Sequence, residues 1–352
     1  TSTMCERNEV PSGHKDIKTK VAHAHKRDEI TNRIIEKRAR WVGMGFLQGP
    51  KDFKDTYTAT PTATALRLFL SMLVCLNLSL HQGDVTKAFT LNPIDVELYV
   101  EQMPGMEAPG PNGGAPKDTV CRLHKCLEGL QQAGNIWQTT HTSKLLAMII
   151  CGSRLQPVDA EPCLFVLHCS IGLLAVLVWV DDILVACSKP ELYMEFRTLY
   201  EREFPSKHHD GANQFAGVSI DYQPGVSLTM HQQPHIEMAY DKFSVDKVAA
   251  SRSAAVSRPA ISDRDSPYHY SKLSMAQYDT ERARMKSLPF LQRSCISFTS
   301  RTHTSASTPR FLGQFMHDPS IACITAVLEL IISLYHHRHI NCILYFPKPH
   351  LP

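Results

Sequence analysis

The sequence predicts an α+β fold of hairpins and separate helices, and three observations carry that expectation. Short apolar runs joined by turn residues recur as hairpins, at 165–180 with 183–187 and at 214–222 with 226–230 across Pro224-Gly225. Longer stretches of helical character lie around them, at 66–80, 130–150, 190–204 and 235–249. Across 352 residues, 43% are hydrophobic and 20% charged, which suits a globular chain of two or three domains with a substantial core.

Residues 1–28 are polar and weakly patterned and read as a frayed N-terminal arm. Basic residues alternate through 34–46, predicting strands with cationic side chains along one face. The run 66–80 has few breakers and reads as a buried helix. Residues 83–89 read as a short strand entering a turn at Asn92-Pro93. The segment 107–117 is rich in Pro and Gly and reads as a loop; 110–117 lacks the GxxxxGK[ST] register of a phosphate loop. Pro190 opens a helix to about residue 204 with an acid in its first turn. Residues 251–267, rich in Ser, Pro and Arg, form a linker, and 322–334 a further helix. No internal repeat is visible.

Charge is unevenly spread. Residues 15–54 hold 11 Lys/Arg against 5 Asp/Glu, and 251–352 hold 12 against 6, around an acidic centre. Basic flanks around an acidic middle suit a polyanion held at the edges and cations held centrally, although ordinary surface charge produces the same counts. The 11 cysteines show no CxxC pair, as expected of a reduced intracellular chain with buried thiols. His336, His337 and His339 have no Cys or His partner at ligand spacing and read as a solvated helix end. The opening residues do not read as a signal peptide. The apolar runs at 164–180 and 321–335 are too short or interrupted to span a bilayer, so no membrane partner is expected.

The sharpest feature is Asp181-Asp182, set between apolar strands. An Asp-Asp turn is common, because Asp stabilises turns. Burying two carboxylates is costly unless something pairs them, however, and the nearest cation in sequence is Lys189. A divalent cation is the natural partner, since Mg²⁺ takes hard oxygen ligands. Asp84, in His81-Gln82-Gly83-Asp84-Val85, is the best third carboxylate. Acids on neighbouring strands are the arrangement of a two-metal phosphoryl transferase.

The order of motifs adds to this. Arg38-Ala39-Arg40-Trp41-Val42 precedes Gly45-Phe46 and Gln48, then Asp52-Phe53, Thr56-Tyr57 and Arg67. Leu80-His81-Gln82-Gly83-Asp84-Val85 precedes Ala88-Phe89, then Tyr99-Val100-Glu101-Gln102-Met103-Pro104-Gly105. Val120-Cys121-Arg122-Leu123-His124-Lys125 leads to Leu127, Gly129-Leu130, Gln132-Ala133 and Trp137. Val180-Asp181-Asp182 follows, then Phe215, Gly217 and Ile220, and Phe315-Met316-His317-Asp318-Pro319. This series resembles the reverse transcriptase of copia-type LTR retrotransposons.

The resemblance implies a fingers–palm–thumb polymerase, its palm an antiparallel sheet backed by helices, that extends a primer on an RNA or DNA template with dNTPs. It implies two Mg²⁺ ions, replaceable by Mn²⁺, on Asp84, Asp181 and Asp182. Arg38, Arg40, Val85, Phe89 and Gly129 would form the nucleotide pocket, with Phe89 excluding a 2′-hydroxyl; without the resemblance Phe89 reads as a core aromatic. Phe215 and Gly217 would grip the primer. The implied domains are 29–190 for fingers and palm, 191–250 for the rest of the palm and the thumb, and 251–352 for a linker and partial connection region. No ribonuclease H domain is expected within the chain. The expected compartments are the cytoplasm, virus-like particles or the nucleus.

Several positions depart from the family pattern. Trp179 replaces a Tyr before Val-Asp-Asp, Glu128 stands where an aromatic is usual, and Gly134-Asn135 replaces Pro-Arg. Glu128 and Trp179 favour an alternative, a catalytically inactive retroelement remnant that at most binds nucleic acid. A third reading is an unrelated metal-dependent nuclease.

Overall fold

The computed structural model describes residues 2–27, 33–242 and 342–345. The expectations for 251–267, 315–319, 322–334 and the histidines at 336–339 lie outside these residues. The chain divides into two compact units, Thr1–Pro61 with Gly83–His208, and Thr62–Gln82 with His209–Pro352.

In chain order the first elements are β1 Ser2–Glu6, β2 Thr19–Arg27, β3 Ile34–Gly43, α1 Ala63–Cys75, β4 Ser79–Val85, α2 Ala88–Leu91, β5 Tyr99–Glu101 and β6 Thr119–Leu123. Then come α3 Ala133–Ala147, β7 Ile149–Ile150, β8 Ser153–Arg154, β9 Gln156–Val158, β10 Glu161–His168, β11 Leu173–Trp179 and β12 Asp182–Cys187. The last are α4 Pro190–Glu203, β13 Ser206–Asp210, β14 Gln214–Phe215, β15 Val218–Gln223, β16 Ser227–His231, α5 Gln233–Lys242 and β17 Cys342–Tyr345. The content is α+β, with antiparallel pairing throughout the hairpins and few helices.

The first unit is built on a sheet of order β13-β4-β12-β11-β10-β9, to which it contributes Gly83–Val85 of β4 and the start of β13. Its centre is the meander β10–β11–β12, in register from Leu164 opposite Leu177 to Trp179 opposite Asp182. Alternate residues of these strands (Phe165, Leu167, Leu174, Val176, Val178, Ile183, Val185 and Cys187) enter one core. Trp137 and Leu145 of α3 and Leu192, Phe196 and Tyr200 of α4 fill that core from the helical side. Both helices are amphipathic at i, i+4 spacing: α3 buries Ala133, Trp137, His141 and Leu145, and α4 buries Leu192, Phe196 and Tyr200. Pro190 at the first turn and Glu191 beside it start α4 as the sequence predicts. A smaller sheet, β1-β6-β5, covers a second core around Leu98, Val100, Leu123 and Leu127.

In the second unit α1 is capped by Thr62, whose side chain accepts from the Ala65 amide at 3.0 Å. The sheet there has the order β14-β15-β16-β17.

Four expectations are corrected. Residues 1–28 are not a frayed arm: β1 pairs with β6, and β2 forms a long ribbon with β3. Their polar, exposed side chains hid the strand pattern. The helix read at 66–80 stops at Cys75, because Asn77 takes a left-handed φ of 48°. Leu78 N–H then donates to the Leu73 carbonyl at 2.9 Å and Asn77 N–H to Val74 at 3.3 Å, a Schellman ending. The strand read at 83–89 therefore starts at Ser79 and ends at Val85, and 88–91 is a helical turn. Finally, 165–180 is two strands, reversed at Cys169–Gly172, where each residue's N–H donates to the other's carbonyl. Among the described residues no helix is long and apolar enough to cross a membrane, and the eight cysteines there are all unpaired.

Candidate active site

The β11–β12 hairpin closes through two residues, Val180 and Asp181. Val180 has φ of 56°, a conformation that hairpin loops usually give to glycine and that a β-branched residue adopts only under strain. Asp182, the first residue of β12, pairs with Trp179. Because Ile183 faces the core with α3 and α4, strand alternation puts Asp182 on the other face.

Asp84 reaches the same face by the same logic. Gly83 and Val85 face the core: a Cβ on Gly83 would lie 2.9 Å from Ile183 Cγ1 and 3.0 Å from His208 Cε1, and Val85 is buried. Asp84, between them, projects oppositely and is exposed. The Val85 amide donates to the Asp181 carbonyl at 3.0 Å, joining the strand of one acid to the turn of the next.

The three carboxylates act on one another. Burial pushes Asp182 up to about 6, and the charges of Asp181 and Asp84 add to that. Burial also raises Asp181, reinforced by Asp84 and Glu128 and opposed by Arg40. Among the described residues no ion pair involves any of the three acids. Asp181 and Asp182, half-buried, outside any ion pair and with raised pKa, form with the exposed Asp84 a donor set whose cost a bound cation would offset. Among the described residues, no three Asp, Glu, His or Cys side chains close around one point, so the acids alone are not a complete cage. Mg²⁺ usually takes one or two carboxylates and draws its other ligands from water and substrate phosphates, and an open set of acids fits that habit.

The β2–β3 ribbon carries the cations. Arg40 lies opposite Ala22 and Arg38 opposite Ala24, so each guanidinium stands beside a small residue on one face. Both are already engaged: Arg38 Nη2 donates to Glu36 at 2.8 Å, and Arg40 Nε lies 3.6 Å from Glu128. The ribbon's base is fixed by an amide network centred on the buried Gln48 and Gln132. Gln48 donates to Gln132 at 3.0 Å, Gln132 to the Asp52 carbonyl at 3.0 Å, and Gln131 to the Gly45 carbonyl at 2.8 Å. Gly43 N–H donates to Glu128 and Gly45 N–H to Gly129, at 2.8 and 3.1 Å.

The family model described as reverse transcriptase (RNA-dependent DNA polymerase) matches residues 5–255. The chain belongs to this family. Its relatives are copia-type Pol polyproteins. It is 27% identical over 240 residues to the retrovirus-related Pol polyprotein from transposon TNT 1-94 of Nicotiana tabacum, covering 67% of this chain and 17% of that protein. It is 26% identical over 296 residues to the Pol polyprotein from transposon RE1 of Arabidopsis thaliana, covering 84% of this chain and 18% of that protein. A putative transposon Ty5-1 protein of Saccharomyces cerevisiae is 24% identical over 185 residues, covering 53% of this chain and 57% of that protein. The chain thus spans less than a fifth of the first two.

Other expected pocket residues of this reverse transcriptase domain have structural explanations of their own. Val85 is a core residue, 2% exposed, and offers the site only its backbone. Phe89 is half-buried and packs against both cores of the first unit. Gly129 has φ of 88°, and a Cβ there would strike the Gly43 carbonyl, so the ribbon's attachment alone requires glycine. In the second unit Phe215 is 1% exposed, so its ring is core, while Ala216 and Gly217 form a tight turn with φ of 50° and 79°. Gln232 donates to the Gly217 carbonyl at 3.1 Å.

Sequence reasoning missed the Arg40–Glu128 pair and the strain at Val180. The first had a signal, an acid where the family carries an aromatic, but its partner lay 88 residues away. The second had none, because φ at a turn is set by the register of the flanking strands.

Proposed function

We propose that this chain is the polymerase portion of a copia-type retroelement, adding deoxynucleotides to a primer 3′-hydroxyl on an RNA or DNA template. The observation that carries the reading is the acidic hairpin beside Asp84: Asp84 and Asp182 on one face of adjacent strands and Asp181 in the turn before Asp182, none with an ion-pair partner among the described residues. On this reading 29–190 are fingers and palm, 191–250 complete the palm and supply the thumb, and 251–352 are linker and partial connection region.

Asp84, Asp181 and Asp182 would hold two divalent ions. When bound, such ions activate a hydroxyl nucleophile and offset charge on the leaving pyrophosphate. The chain's own residues do the remaining work. Arg38 and Arg40 bind and orient the triphosphate, exchanging Glu36 and Glu128 for phosphate oxygens. Phe89 borders the sugar, and the Ala216–Gly217 turn meets the primer backbone. The attacking 3′-oxygen bonds to the α-phosphorus, the bond to pyrophosphate breaks, and the hydroxyl proton leaves to solvent.

The test is primer extension on poly(rA)/oligo(dT) with Mg²⁺, beside an Asp181→Asn, Asp182→Asn double variant. Incorporation that the double variant loses supports the polymerase and its acidic pair; incorporation that persists in it sinks the site assignment. The second reading, an inactive remnant, is favoured by Glu128, which neutralises Arg40 where a triphosphate would need it. Folded protein that binds primer–template but incorporates nothing supports that reading instead.

A further inference from the structure

We propose that Trp137 is a positioning residue that fixes the direction of Asp181. This rests on the polymerase reading only for its catalytic consequence.

Trp137 lies on α3, 1% exposed, and its indole N–H donates to the Val180 carbonyl at 2.6 Å. Val180 is the strained first residue of the loop, so this bond falls on the peptide that links it to Asp181. A peptide unit is planar and trans, so fixing the carbonyl of Val180 also fixes the N–H of Asp181. The next peptide is held too, since the Asp181 carbonyl accepts from Val85 N–H at 3.0 Å. Asp181 therefore sits between two pinned peptide planes, one tied to α3 and the other to the strand of Asp84. That leaves the carboxylate little backbone freedom.

The indole is itself immobilised. Phe204 meets it edge-on, centroids 5.5 Å apart at 74°, and His141 stacks at 5.0 Å. His141 Nε2 in turn lies 2.8 Å from the Tyr200 hydroxyl, in the same buried cluster. Two helices thus converge on one carbonyl. A core tryptophan needs none of this: its N–H would be satisfied by any acceptor, whereas here the acceptor is the one strained carbonyl beside the acids.

The decisive experiment replaces Trp137 with benzothienylalanine, which exchanges only the indole N–H for sulfur, with Trp137→Phe as a second variant. Hydrogen exchange is followed on peptides covering 177–184. Mn²⁺ affinity is read by electron paramagnetic resonance, and kcat and KM by primer extension. The expected result is several-fold faster exchange confined to that hairpin, with the melting temperature of the isosteric variant within a few degrees of wild type. Mn²⁺ binding should weaken about tenfold, and kcat should fall with the dNTP KM unchanged. Unchanged hairpin exchange overturns the proposal, and so does faster exchange with wild-type Mn²⁺ affinity. If the wild type extends no primer, or holds no Mn²⁺, the polymerase or metal reading fails separately, and hairpin exchange alone decides whether Trp137 holds the turn.

Discussion

The amide of Val85 donates to the carbonyl of Asp181 at 3.0 Å. This backbone bond closes the distance between two acids 97 residues apart in sequence, since Asp84 immediately precedes Val85. Burial raises the pKa of Asp182, and because carboxylates gathered by backbone geometry cannot separate, the charges of Asp181 and Asp84 raise it further.

Asp182→Asn should therefore stabilise the metal-free protein. A carboxyl whose folded pKa exceeds its unfolded value holds its proton better when folded. Its contribution is fully present below the ordinary value of 3.8 and is lost as pH rises through about 6. The side chain is only half-buried and solvent screens it, so at pH 7 its ionised form costs on the order of 1 kcal/mol, most of which the neutral amide should recover. Thermal melts in EDTA check this, and an unchanged or lowered melting temperature at pH 7 counts against it. Added Mg²⁺ should stabilise the wild type above pH 6 and have little effect at pH 5, because the ion competes with the proton.

His141 works in the opposite direction. Burial lowers its pKa from 6.5 to about 4, so the folded state refuses a proton that the unfolded chain accepts. Its stability contribution is present above 6.5 and is lost as pH falls through about 4, on the order of 3 kcal/mol because the ring is almost fully buried. The two windows overlap with opposite sign, so between pH 6 and 4 Asp182 offsets part of the loss from His141 in the wild type. The single variants expose each term. His141→Gln, which keeps a partner for Tyr200, should become more stable relative to wild type on acidification. Asp182→Asn should lose stability more steeply than wild type over the same range. Parallel curves for all three proteins would refute the assignment.

Gly83→Ala probes the packing that aims Asp84. The new methyl would lie 2.9 Å from Ile183 Cγ1 and 3.0 Å from His208 Cε1. Overpacking of this kind costs about 1–3 kcal/mol. It would also shift the strand that carries Asp84, so urea midpoint and Mn²⁺ affinity should fall together. A variant with wild-type stability would show that the strand has room the packing does not suggest.

Much of this architecture was legible because apolar periodicity and turn residues agree: the hairpin at Asp181, the helix opened by Pro190 and the Pro224-Gly225 turn all lie where the sequence predicts. What was not legible depended on partners distant in sequence. The β2 strand is polar, and nothing in it announces that it pairs with 34–43. The end of α1 had a local signal in Asn77, but the apolar residues on either side masked it. The acids were identifiable by residue type, whereas the Trp137–Val180 bond depends on how α3 packs against the sheet. Gly129 and Val85 recur in the family's motifs, yet here close packing is a sufficient reason for each.

Glu128→Gln should release Arg40. The pair is 3.6 Å apart, with Arg40 exposed and Glu128 half-buried, so losing it should change stability by no more than about 1 kcal/mol. The same substitution removes a negative charge that acts on Asp181, which should lower that carboxyl's pKa. Both effects favour an incoming triphosphate with its cations. The dNTP KM should therefore fall several-fold in primer extension, and binding of dTTP alone should tighten and become more sensitive to salt. Arg40→Ala should raise KM and abolish the benefit of Glu128→Gln in the double variant. If Glu128→Gln leaves KM and dTTP affinity unchanged, Arg40 does not contact the triphosphate, and its pairing with Glu128 serves only to dock the ribbon.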